Sequence, residues 1–189
     1  SIGFYEIAKI KYDSDIKDSL KNISKAVDLK KNFPPYIKLH LEIIAGLNNK
    51  SNLKKLIKKY WSLNPSSLLR SIIIKIINDN DLTDINFIND IINKNANEGE
   101  SKKLLVYFAI KNLNWDVARK NISGLIGANP SKEICLFMSD IELGENNDKQ
   151  KSDAWIMRAE NASSEDTWIC RITNQTQNEW SSLSNSGNY

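Results

Sequence analysis

Glycine and proline are scarce, at 7 and 4 of 189 residues. That excludes collagen-like and proline-rich chains and leaves too few turns for an all-β sandwich or barrel. Histidine occurs once and cysteine twice, at Cys135 and Cys170, with no CxxC pair, which is too few ligands for a zinc site. The thiols suit a reducing compartment. No apolar run approaches the ~20 residues of a membrane span. Even IIIKII, from Ile72 to Ile77, carries Lys75, and the first residues lack a signal-peptide pattern. The chain opens on Ser1 without Met, as a fragment would. What is present, 41% hydrophobic and 26% charged residues, is ordinary for a folded soluble domain and excludes disorder throughout. Helix is the class that remains.

Charge is nearly balanced, at +3, but unevenly spread. Residues 1–64 hold 13 Lys and 6 acids, whereas residues 65–189 hold 13 basic and 17 acidic residues. Only four cations are Arg. Richness in Lys, Asn and Ile is what an AT-rich genome produces, so lysine number alone carries little weight. Few arginines and no interleaved aromatic platform argue against nucleic acid.

Pro-containing or Asn/Gly-rich turns fall at Phe33-Pro34-Pro35, Asn64-Pro65, Ala96 to Gly99 and Asn129-Pro130. The apolar segments between them open near residues 2, 35, 66, 101 and 131, steps close to the ~34 of a tetratricopeptide repeat. Each unit divides again at Asp13 to Asp15, Asn48 to Ser51, Asn78 to Asp81, Asn112 to Asp116 and Glu145 to Asp148, where Asp, Asn and Ser can cap a second helix. In NLKKLIKKYW, Leu53, Leu56, Ile57 and Tyr60 follow helical spacing, with Lys54, Lys55, Lys58 and Lys59 opposite. Phe87, Ile88, Ile91 and Ile92 form a like stripe, as do Ala118, Ile122 and Leu125. Ala118 suits a small-residue packing site, Val106 stands where a small residue is preferred, and the Trp-Leu-Gly-Tyr consensus is missing.

The expected architecture is all-α: an α-solenoid of tetratricopeptide-like helix hairpins over 1–162, followed by an irregular capping tail over 163–189. Trp155, Trp168 and Trp180 are the apolar mass available for the cap. The tail is expected to fold back on the last helix pair in an extended or β-like form, with Trp168 near Trp155, Met157 or Cys135.

No Ser/His/Asp set, P-loop or glycine-rich dinucleotide loop is present, so the chain is read as a non-enzyme without cofactor or metal. NDNDLTD, with Asp79, Asp81 and Asp84, lacks the Gly and terminal Glu of a calcium loop and reads as helix capping. His40, in YIKLHLEII, falls at an interior position of a first helix, and Cys135 reads as a small core residue. The repeat frame places Lys38, Glu42, Lys103, Tyr107 and Lys111 on the face that first helices turn toward a partner. Solvated surface is the plainer reading of the same five residues.

Several landmarks occur together. They are the Phe33-Pro34-Pro35 entry, Trp61 four residues before Pro65, Glu100-Ser101 opening a helix, and Trp115 before Ala118-Arg119. A closing run follows: Met138, Glu142, Asp148, Trp155, Arg158, Ala159, Trp168 and Trp180. In this order they resemble the C-terminal tetratricopeptide-like part of alphaproteobacterial HemY-type proteins, over most of the chain. The resemblance implies a bacterial inner-membrane protein anchored by N-terminal helices missing here. Its soluble repeat domain would lie on the cytoplasmic side, be associated with haem biosynthesis, and act as a protein-binding scaffold. It brings no residue-level functional motif. Two alternatives stand beside it: haem handling through His40, and binding of an anionic surface through the Lys-rich first third.

Overall fold

The computed structural model describes residues 1–163, 168–169, 176–177 and 180. Ten α-helices occur among them: α1 (Ile2–Lys11), α2 (Ile16–Leu29), α3 (Pro34–Gly46), α4 (Lys50–Leu63), α5 (Ser67–Asp79), α6 (Ile85–Ile92), α7 (Gly99–Lys111), α8 (Trp115–Ile122), α9 (Lys132–Asn146) and α10 (Lys149–Glu160). Short 3-10 turns, Asn93–Asn95 and Ser123–Leu125, extend α6 and α8. In the tail, β1 (Trp168–Ile169) runs antiparallel to β2 (Thr176–Gln177). The protein is helical, with neighbouring helices packed together.

The helices begin where local chemistry allows. Proline opens α3, where its missing N–H would have had no partner. Asp15, Asp84, Asn114 and Asp148 each accept a backbone N–H from the first turn of α2, α6, α8 and α10, and Asn49 accepts that of Asn52 in α4. Asp84 therefore caps a helix, as NDNDLTD suggested. Asp79 pairs with Lys75 at 2.7 Å.

A second regularity lies in the turns inside successive helix pairs. Asn48, Asp81, Leu113 and Asn147 all have φ between 52° and 55°. Their separations are 33, 32 and 34 residues, so left-handed residues recur at a nearly constant spacing.

By contact the chain forms two compact units, Ser1–Leu53 with Asp166–Tyr189, and Lys54–Glu165. In the first, α2 packs against α1 and α3 around Ala8, Ile23, Ala26, Ile37, Leu41 and Ile43. Ser19, fully buried, donates its hydroxyl to the Ala8 carbonyl at 2.7 Å. In the second, α7 packs on α8 and α9 on α10, while α7 also touches α5, α6 and α9. Val106, Ala109, Ala118, Ile122, Ile134 and Ile141 centre that core, with Trp155 against its edge. Val106, which the repeat frame expects at a small-residue position, is fully buried.

Two close fits lock the second unit. A Cβ built on Gly144 would lie 2.7 Å from Cζ2 of Trp115, so only glycine lets α9 pass this ring. Trp61, fully buried, donates its indole N–H to the Ser101 hydroxyl at 2.9 Å. In α4, Leu53, Ile57 and Tyr60 are buried as expected. Leu56 is only half-buried, and Trp61 completes the inward face.

The tail departs from expectation at Trp180. This ring belongs to the first unit, where it meets Tyr5, Phe33 and Tyr36 edge-on. The reason is chemical: α1 and the entry to α3 offer three aromatic rings that meet the indole together. The Trp168 side chain, expected near Trp155, Met157 or Cys135, lies outside the described part of the structure.

Candidate functional site

The first helices of the second unit, α5, α7 and α9, are joined by a charged seam. Arg70 of α5 has a side chain 4% exposed, and it is forked between two carboxylates. Its Nε donates to Glu100 Oε2 at 2.8 Å, and its terminal nitrogens donate to both oxygens of Glu133, one of them at 2.7 Å. Lys103 Nζ closes the set, 3.1 Å from Glu100 and 3.5 Å from Glu133. Among the described residues the two cations and two anions of this set balance.

Burial alone would lower the basicity of Arg70, but the hydrogen bonds and charges of Glu133 and Glu100 more than offset it, and the guanidinium is held above its ordinary value. Burial likewise pushes Glu100 up, and Arg70 and Lys103 override it, leaving this carboxyl below its usual range. Arg70 and Glu100 are therefore both ionised at neutral pH.

Two turns further along α7, a smaller polar group continues the face. Asn78 of α5 donates its amide to the Tyr107 hydroxyl at 3.0 Å and accepts from Lys111 Nζ at 2.5 Å. Lys103, Tyr107 and Lys111 thus share one side of α7, at four-residue spacing. Tyr107 is half-buried and packs edge-on against Phe108, while Lys111 is exposed. Lys38 and Glu42, half-buried on α3, lie in the other unit.

Four members of the seam, Arg70, Asn78, Glu100 and Glu133, were not among the residues the sequence placed on the partner face. A signal for Arg70 existed. In a chain that writes nearly every cation as Lys, the described arginines all take fork geometry or carbonyl contacts. Arg119 bridges Glu142, at 3.1 Å through each terminal nitrogen, and Glu145, and Arg158 donates to the Ala128 carbonyl at 2.7 Å.

His40 is buried in α3. Cys135 is fully buried at the start of α9. Among the described residues, no group of three or more His, Cys, Asp or Glu side chains is placed to hold a metal ion, and no helix is long and apolar enough to cross a membrane. Of the basic α4 face, Lys55 and Lys59 are exposed, Lys58 pairs with Asp90 at 3.4 Å, and Lys54 lies over the Phe87 ring.

No protein-family model matches the chain, and no curated protein matches it.

Proposed function

We propose that the protein is a non-catalytic interaction scaffold built from tetratricopeptide-like helix pairs, and that the polar face of α5, α7 and α9 receives an extended or helical segment of a protein partner. One observation carries this reading: three successive first helices contribute side chains to a single continuous polar face. The ion cluster holds the helices in register, and Tyr107 and Lys111 supply the accessible aromatic and charged contacts. The recurring left-handed turns support the repeat reading. Placement at the bacterial inner membrane and a role in haem biosynthesis rest on the HemY-type resemblance alone.

The experiment is site-specific photocrosslinking in source cells, with the reactive group at position 111 in one variant and at position 55, on the exposed back of α4, in another. A partner adduct formed from 111 and lost with Tyr107→Ser is the expected result. Equal adducts from both positions, or none from 111, would overturn the assignment.

A further inference from the structure

Two exposed helix faces that the scaffold reading does not use are apolar and opposite in charge. On α1, Ile7 and Ile10 share one side at three-residue spacing, 43% and 75% exposed. The residue that α1 buries, Ala8, lies on the other side. Lys11 stands beside the isoleucines, one turn after Ile7, exposed and without an ion pair among the described residues. Its neighbour Lys9 is already matched with Glu6, at 3.8 Å.

The second face belongs to the last helix pair. Phe137, Met138 and Ile141 turn α9 toward the core, and the Ser139–Ser152 hydroxyl bond, 2.7 Å long, marks the line along which α10 lies. Leu136, Asp140 and Leu143 fall on the remaining side, with the two leucines 42% and 46% exposed. On α10, Trp155 meets the core, and the next residue, Ile156, is turned away from it and is 42% exposed. Asp140 is the odd member. It has no hydrogen bond and no cation partner among the described residues, and burial holds its carboxyl above the usual value. Asp153 and Glu160 of α10 add two exposed carboxylates, which Lys132 and Lys149, the first residues of the two helices, answer only in part.

An unpaired carboxylate between two exposed leucines is complemented by a cation beside apolar side chains. The α1 face is built that way. Either face meeting its own copy would bring two Asp140 or two Lys11 side chains into one small contact, which disfavours a twofold arrangement. We propose that copies of this chain associate head to tail, the Ile7, Ile10 and Lys11 face of one docking on the Leu136, Asp140 and Leu143 face of the next. Lys11 then supplies the cation that Asp140 lacks, and the isoleucines and leucines cover one another as stacked helix pairs do. Such a contact is heterologous, so each copy keeps one face of each kind and association grows with concentration.

Sedimentation velocity of the 189-residue chain from about 5 to 500 μM tests this. The weight-average mass should rise with concentration, with an apparent Kd of about 10 to 500 μM. Ile10→Glu and Leu143→Glu should each stay monomeric, whereas their equimolar mixture should form a heterodimer and nothing larger, because one intact junction remains. Lys11→Asp and Asp140→Lys should each weaken association by about fivefold or more, and the double variant should restore it. A wild-type chain that stays monomeric, association that survives either glutamate, or a mixture of the glutamate variants that does not pair would overturn the proposal. Circular dichroism is recorded for every variant. Should either glutamate variant lose its helix signal, the charge exchange decides alone, and a double variant that associates no better than the single ones overturns the proposal.

Discussion

Arg70 shows how much a single side chain can hold. Its guanidinium fork satisfies carboxylates from two other helices, 30 and 63 residues ahead in the chain, which a lysine's point charge cannot reproduce. Removing it leaves Glu100 and Glu133 facing each other with only Lys103 between them. Arg70→Met is therefore expected to cost about 3 kcal/mol, in the range for breaking a buried ion pair. The double change Arg70→Met, Glu133→Gln should cost less than the single one, because Lys103 and Glu100, 3.1 Å apart, then remain as a balanced pair. Urea unfolding of the three proteins decides it, and a double variant less stable than Arg70→Met would show that the cluster is a net source of stability. Such pairings were not legible in the sequence, since nothing in SLLR or KEIC states that residues 63 apart will meet. The arginine itself was the available clue.

Between elements, the informative features are the turns. Helix existence and type were readable because stripes such as Phe87, Ile88, Ile91 and Ile92 have helical period and because Asp, Asn and Pro mark the starts. The helices α1, α3, α5, α7 and α9 begin at residues 2, 34, 67, 99 and 132, within two residues of the positions where the apolar segments open. The left-handed residue inside the last four pairs was not readable, because two of the four positions hold Asn, one Asp and one Leu. Leu113 is the anomaly: a γ-branched side chain at φ 55°, 70% exposed, with no packing to compensate for the strain. Leu113→Asn should raise stability by about 1 kcal/mol, by relieving the backbone and removing an exposed apolar group. Differential scanning calorimetry would register the rise in Tm. An unchanged or lower Tm would mean that the leucine contributes a contact that offsets the strain. The seat of Trp180 was not legible either. Choosing among several apolar surfaces for one indole requires knowing where Tyr5, Phe33 and Tyr36 converge.

At the scale of the whole molecule, the ion pairs set the response to acid. Glu100 and Glu142 both have folded-state values below the ordinary carboxylate range. For Glu100, Arg70 and Lys103 overcome the opposing effect of burial, and for Glu142 the Arg119 hydrogen bond leads. Groups depressed by folding stabilise the native state above their unfolded value, about 4.3 for glutamate. That contribution fades as pH falls through it toward the lower folded values. The contribution of these pairs should thus be lost below about 4.3, while Asp140, raised by burial, opposes part of that fall. Glu100→Gln should be less stable at pH 7 yet show a shallower acid slope, as read from urea midpoints at each pH. An identical slope in variant and wild type would remove Glu100 from the acid response.

The Arg70 seam also has a consequence in time. A ribosome delivers the arginine 63 residues before Glu133, roughly 3 to 13 seconds at ordinary elongation rates. During that interval α5 has its cation but not both of its anions, and sealing it into a dry interior would strand a charge. Closing the second unit around α5 before α9 has been made would leave Arg70 short of one of its carboxylates. Pieces ending before residue 133 are incomplete in charge as well as in length.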